Sequence, residues 1–407
     1  MKIIHTSDWH LGNSFHQFNR EEEFLDFFKQ LRQIVAEEQP DALLVCGDIF
    51  DTVAPSNAVV SIYNRELLAL QQDNPEMQVI ITAGNHDSPS RLASAGVLWK
   101  EFRVTVVGSP ERNEEGINIE KLLVPIRREE RIIGWVLAVP YIHESSFPQV
   151  EPDGYVERVR AFYGRLLECV NQKREAGQPI IAMGHLALSN SDLTGHDSSM
   201  KGNMVCVSAD IWAKGFSYVA LGHIHRPQHV GFPFVRYSGS VIPMSFDEKY
   251  EHSVTVVEFE GEQMSKVRQR KINAPIEICD VSEEPAPFEE VKEALKAFPS
   301  DKAAYIRFNV LIDDVVPSTL FEEAQMCLEG KKAKLCTFLR TNSRSLDDEE
   351  TGKNAVHSLE ELRHLSPMDI IERCYRVAAQ QELSETLRAC MKEAIEEVEK
   401  GKREESL

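Results

Sequence analysis

Ligand-type residues recur in this chain where apolar runs stop. Ile3-Ile4-His5-Thr6-Ser7-Asp8-Trp9-His10 begins as a buried strand and breaks into polar residues at Asp8 and His10. Gly47-Asp48, Gly84-Asn85-His86-Asp87, Gly184-His185 and Gly222-His223-Ile224-His225 each follow another apolar run. One histidine or one Gly-Asp at such a place is most often a structural residue or a turn. Five such breaks point to one cleft, because open α/β sheets bind ligands outside the carboxyl ends of their strands.

The residue types suit metal ions. Asp8, Asp48 and Asn85 supply oxygen, while His10, His185, His223 and His225 supply imidazole, with no thiolate among them. Such a mixed set fits manganese, iron or zinc better than calcium or copper(I). His223 and His225 stand two apart, so they share a side if strand geometry continues. Glycines before Asp48, Asn85, His185 and His223 permit tight turns and close backbone approach. A carboxylate such as Asp48 can bridge two cations about 3.5–4 Å apart, the spacing used for in-line displacement at phosphorus. His86, next to Asn85, is placed to give a proton to a leaving oxygen. Arg91, Lys201 and Arg226 lie near the motif loops and are candidate phosphate contacts, against the plainer reading of surface charge.

The elements that must position these residues follow from periodicity. Phe24, Phe27, Phe28, Leu31, Ile34 and Val35 recur at helical spacing. Buried strands are expected at 42–46, 79–82, 104–107, 132–139, 180–183 and 218–221, with helices at 57–71 and 155–175. Short β-like runs fill 230–259. Strands alternating with helices imply mostly parallel sheets with crossover helices. The expected fold is α/β, a two-sheet sandwich with outer helices over residues 1–274. Near Ala274-Pro275 the pattern changes to strand, helix, strand, helix, strand, which predicts a small α+β domain over 275–340. Residues 341–364 read as a polar linker. A helical tail over 365–407 opens on Ser366-Pro367-Met368-Asp369, a helix-start signal. Its second helix places Leu387, Cys390, Met391, Ala394, Ile395 and Val398 on one stripe. Such helices bury against each other, against their own protein, or against a partner's groove or coiled coil.

Bulk composition narrows the class. A hydrophobic fraction of 42% and a charged fraction of 27% are ordinary for a globular protein. No apolar run approaches the roughly 20 residues of a membrane helix. The sequence starts directly on a strand pattern, which predicts a cytoplasmic protein. The eight cysteines form no CxxC pair, and Cys46 and Cys206 read as small core residues. A net charge of -20 argues against a stand-alone nucleic-acid binder, though local basic patches remain open.

In this order the motifs resemble the calcineurin-like metallophosphoesterase superfamily. His5-Thr6-Ser7-Asp8-Trp9-His10-Leu11-Gly12, Gly47-Asp48-Ile49-Phe50-Asp51-Thr52, Ala220-Leu221-Gly222-His223-Ile224-His225-Arg226 and Tyr237-Ser238-Gly239-Ser240 through Ser245-Phe246-Asp247-Glu248 resemble, more closely, the bacterial SbcD nuclease subunits. That family is the counterpart of the eukaryotic and archaeal double-strand-break repair nuclease. The resemblance implies two ions, usually manganese: Asp8, His10, Asp48 and His225 around one, and Asp48, Asn85, His185 and His223 around the other. It makes His86 the catalytic histidine and the second domain a cap that grips DNA. It implies tail helices docked on the coiled-coil root of an SbcC-like ABC-type ATPase, which alone uses ATP. The expected assembly is a homodimer within a heterotetramer, associated with the nucleoid and away from membranes. It would degrade double-stranded DNA 3′ to 5′ and cut single strands and hairpins, without sequence specificity, in DNA repair, recombination and replication. Asp51 stands where archaeal relatives carry a second histidine, as in bacterial members. The alternative enzyme on the same fold is a phosphatase or cyclic-nucleotide phosphodiesterase, which needs neither cap nor tail. A non-catalytic adaptor would show gaps among the ligand positions, and here every position is filled.

Overall fold

The computed structural model describes residues 1–342 except 114–115, 153, 196–204, 283 and 314–315, together with isolated residues between 368 and 392. The main strands are β1 (Lys2–Thr6), β2 (Ala42–Cys46), β3 (Gln78–Thr82), β4 (Val104–Val107), β5 (Leu123–Arg128), β6 (Arg131–Leu137), β7 (Ile180–His185), β8 (Tyr218–Gly222), β9 (Gln228–Val230), β10 (Phe232–Tyr237), β11 (Ser253–Glu260) and β12 (Gln263–Lys271). They form two six-stranded sheets, ordered β12-β11-β1-β2-β3-β4 and β9-β10-β8-β7-β6-β5. The interior of each sheet is parallel. Antiparallel pairings bring in β11, β12, β5 and β9.

Alternation along the strands builds the layers, since successive side chains point to opposite faces. Ile4, Leu43, Val45, Val79 and Ile81 face outward onto α1 (Glu21–Glu38) and α2 (Asn57–Asp73), where Phe27 and Leu31 cover them. Their neighbours Ile3, Leu44, Cys46 and Ile80 face inward and meet Val136, Ile181, Met183 and Ala220 of the second sheet. The outer face of that sheet, with Leu137, Ala182, Val219 and Leu221, packs on Phe162 and Leu166 of α3 (Tyr155–Asn171). Each fully buried side chain of this size contributes about 1.5–3 kcal/mol. Ser56 caps α2 by accepting from the Val59 N–H, and α1 ends at Gln39 in the left-handed region with its N–H on the Val35 carbonyl. The expected α/β sandwich with outer helices is the fold found.

At the carboxyl ends of the strands the two sheets are also joined by hydrogen bonds. The His5 ring lies between the Tyr218 hydroxyl at 3.0 Å and the Leu221 carbonyl at 3.1 Å, and the Ser238 hydroxyl donates to the His5 carbonyl at 2.8 Å. A carbonyl only accepts, so His5 Nε2 carries hydrogen and Nδ1 accepts from the tyrosine.

Two strands, β5 and β12, carry no clear signal in the sequence. Both are edge strands. β5 contains Pro125, tolerated at an edge, and β12 is largely polar, so neither has the apolar run of a central strand. The helix expected over 155–175 stops at Asn171.

A smaller three-stranded sheet has the order β13 (Glu277–Asp280), β14 (Ala304–Leu311), β15 (Lys334–Thr341), with α4 (Phe288–Ala297) and α5 (Leu320–Met326) between the strands in sequence. Contacts divide the chain into two units, one of residues 1–281, 295–308 and 324–337, the other of 282–294, 309–323 and 338–407. In the first, Tyr305 packs with Phe15, Phe246 and Cys336. In the second, Met368, Glu372, Tyr375, Leu387, Arg388 and 390–392 are helical, and Arg388 pairs with Glu372 at 2.8 Å. Of the linker expected over 341–364, Thr341 instead ends β15, while residues 343–364 and most of the tail lie outside the described residues. No helix among the described residues is long and apolar enough to cross a membrane.

Candidate metal centre

β1, β2, β3, β7 and β8 all run out at one place, and the loops beyond them are tied together. Asp8 N–H donates to the Gly47 carbonyl and His10 N–H to the Asp48 carbonyl, both at 3.0 Å. Asp8, His10, Asp48 and His223 adopt positive φ of 50°, 46°, 51° and 97°. Non-glycine residues there carry strain, which surrounding hydrogen bonds must hold in place. The buried Asp87 carboxylate is one such restraint, taking the N–H groups of Ile49, Phe50 and Gly84 at 3.1, 2.9 and 2.8 Å. A Cβ on Gly222 would lie 1.9 Å from the Cys46 carbonyl oxygen, and one on Gly84 would lie 2.1 Å from Asp48 Oδ1. Only glycine permits these approaches.

The seven expected ligands converge. Ligand atoms of Asp8, His10 and His225 lie within 4.8 Å of one another, as do those of Asp48, His185 and His223. His10, Asp48 and His86 form a third such group. Asp48 Oδ2 sits 3.2 Å from His185 Nε2 and 3.7 Å from His10 Nε2. Asn85 Oδ1 faces His185 Nε2 and His223 Nδ1, each at 3.0 Å.

Three rings are fixed from behind. His185 Nδ1 donates to the Cys46 carbonyl at 2.9 Å, His225 Nδ1 to the Glu248 carboxylate at 2.9 Å, and His10 Nδ1 to Asp51 at 3.2 Å. Metal-binding histidines are held in this way, with the outer nitrogen hydrogen-bonded and the inner lone pair free to coordinate. The buried Nε2 of His10 has no hydrogen-bond partner. An orphaned nitrogen beside two carboxylates is costly without a cation, so the donor set fits divalent metal ions.

Electrostatics agree. Burial alone would lower the His185 ring, but the Asp48 carboxylate outweighs it and lifts its pKa to about 9. His225 likewise rises to about 9 because the Glu248 carboxylate outweighs burial. Asp48 is held well below the carboxylate range despite burial, by His185, His10 and His86. The metal-free cluster thus holds protons where cations fit.

His86 stands at the rim. Its N–H donates to Asp48 Oδ1 at 2.8 Å and its Nδ1 to the Asp51 carbonyl at 2.9 Å. Arg226 is engaged by Asp192 and lies over the Tyr250 ring at 5.6 Å. Arg91 is exposed on the surface, and Lys201 lies outside the described residues. No pattern in the sequence gives a part to Glu248, which lies 23 residues beyond His225. Nothing but a shared motif signals that partnership before folding.

The calcineurin-like phosphoesterase family model matches residues 1–227. A second model, SbcD_C, described as a type 5 capsule protein repressor C-terminal domain, matches residues 280–378. The chain is 35% identical over 271 residues to the SbcD subunit of nuclease SbcCD from Rhodobacter capsulatus, covering 64% of this chain and 67% of that one. The protein of the same name from Bacillus subtilis is 34% identical over 63% of this chain and 66% of its own length. That of Escherichia coli K12 is 32% identical over 68% of this chain and 69% of its own. A dimetal phosphatase from Danio rerio is similar in structure at 12% identity, over 67% of this chain and 99% of its own, with a TM-score of 0.37, too low to bear on the assignment. The match over the strand ends that bear the converging ligands shows that this chain belongs to the calcineurin-like phosphoesterase family and, within it, to the SbcD nuclease subunits.

Proposed function

We propose that the cluster holds two ions, manganese in the cell, and hydrolyses phosphodiester bonds of DNA. Asp8, His10, Asp48 and His225 hold one ion; Asp48, Asn85, His185 and His223 hold the other. Ions of this kind supply Lewis acidity at phosphoryl oxygen and lower the pKa of water. The chain's own residues do the rest. Asp48 holds the two half-sites together. Glu248 and the Cys46 carbonyl take the Nδ1 hydrogens of His225 and His185, which leaves each Nε2 to coordinate. His86, with Nδ1 on the Asp51 carbonyl, gives the Nε2 proton of its imidazolium form to the leaving oxygen, becomes neutral, and regains a proton from solvent. The observation that carries this reading is that three rings, fixed from behind, aim their other nitrogen at the acids they surround.

The substrate is duplex DNA degraded 3′ to 5′, with single strands and hairpins cut internally and no base preference. Arg91, Lys201 and Arg226 meet phosphates, and residues 275–340 act as a cap on the duplex. Residues 341–364 are a linker, and 365–407 dock on an ABC-type ATPase, the only user of ATP. The chain works as a homodimer within a heterotetramer with that ATPase. The assembly works in the cytoplasm on the nucleoid.

The test compares labelled linear duplex, hairpin DNA and a chromogenic phosphomonoester, with and without manganese. Metal-dependent release from the 3′ ends of the duplex is expected, with poor monoester turnover. Fast monoester hydrolysis beside intact DNA would overturn the nuclease reading.

A further inference from the structure

Asp51 lies beside the cluster, three residues past Asp48. Its backbone N–H donates to the Leu11 carbonyl at 3.2 Å, which ties it to the β1 loop. One carboxylate oxygen takes both His10 Nδ1 at 3.2 Å and Asn13 Nδ2 at 3.1 Å. Its backbone carbonyl takes His86 Nδ1 at 2.9 Å. The His10 and His86 rings meet edge to face, with centroids 4.9 Å apart.

Asn13 is held in its turn. Its N–H donates to the His10 carbonyl at 2.9 Å, and its Oδ1 accepts from Arg20 Nη1 at 3.3 Å. Arg20 is 2% exposed. Its fork meets the buried Glu23 through two bonds of 2.9 Å, and Nη1 also donates to the Pro243 carbonyl at 2.6 Å. The Tyr305 hydroxyl completes Glu23 at 2.7 Å. A bidentate pair with its remaining valences satisfied makes a rigid support.

An ionised carboxylate and a backbone carbonyl both only accept. Both Nδ1 atoms therefore carry hydrogen, and in the neutral rings both Nε2 atoms keep a lone pair. The two rings are set by different parts of one residue: His10 by the side chain, His86 by the main chain. We propose that Asp51 is a positioning residue for both His10 and His86, its carboxylate held in place by Asn13 and, through Asn13, by the buried Arg20–Glu23 pair. The roles of those two histidines rest on the two-ion reading above.

The test uses the full chain with 15N-labelled histidine, first metal-free. In the wild type both rings are expected to show hydrogen on Nδ1. Asp51→Ala removes the carboxylate but keeps the carbonyl, so the His10 signature is expected to shift toward Nε2–H while His86 stays. Asn13→Ala is expected to shift His10 in the same direction, less far. Asp51→Asn, which keeps an acceptor oxygen, is expected to restore part of the His10 signature. Manganese titration calorimetry is then expected to show one site of two weakened about 10–100-fold in Asp51→Ala, with the other unchanged. A His10 signature and both affinities at wild-type values in Asp51→Ala would overturn the proposal. So would equal loss at both rings, which marks general loosening. A wild-type chain that takes up fewer than two ions would end the two-ion reading, while the ring signatures still decide the positioning.

Discussion

The proposed roles of His86 and of the ligand rings differ, and substitution separates them. His86→Asn keeps the N–H on Asp48 but removes the ring. Metal uptake is expected to stay at the wild-type level while DNA cleavage falls ~100-fold or more, the usual share of a general acid. Near-normal cleavage would strip His86 of its role. The rings respond to pH. In the metal-free protein His185 and His225 take protons at about 9, above their usual 6.5. Their contribution to stability without metal is therefore complete below pH 6.5 and lost as pH rises through about 9. Metal binding runs the other way, because each proton must leave before its ring coordinates. Manganese affinity is expected to weaken steadily from about pH 9 to about pH 6, with buffer-dependent heats reporting proton release. Affinity that does not change across this window would contradict protonated rings. The residues that converge were legible in the sequence because acids, amide and imidazoles break apolar runs at strand ends. Glu248, Asp51 and Arg20 were not, since each acts through a partner distant in sequence or through a backbone group.

Strand ends set the tolerances of the centre. Where β8 stops, Gly222 passes the Cys46 carbonyl of β2, the same oxygen that orients His185. Gly222→Ala would push a methyl group into that oxygen. Loss of metal uptake is expected, with a fall in stability of about 1–3 kcal/mol from overpacking. Calorimetric binding and thermal melts together check it, and a variant that loads metal as the wild type does would show that the contact yields. Apolar runs made the central strands and their order in sequence plain. They left β5 and β12 unread because an edge strand draws its pairing from a neighbour and needs no apolar run of its own.

Across the whole chain, a net charge of -20 sits uneasily with a polyanionic substrate. On the proposed reading, cations in the cleft and a partner subunit relieve that repulsion. Deleting residues 360–407 is expected to leave manganese-dependent cleavage by the isolated chain while abolishing co-purification with the ATPase. A truncated chain that still captures the ATPase would place the dock elsewhere. Composition announced the charge conflict, yet only the folded arrangement shows where positive charge is required.

The seam between the two sheets gives the centre a mechanical side. Hydrogen bonds from His185 to Cys46, His223 to Asp8 and Ser238 to His5 cross it at one end. Cations seated there act as a rivet. A chelator should do more than silence the enzyme: it should let that end of the sandwich breathe, so that the His223 amide trades its hydrogen for deuterium faster than amides deep in α1.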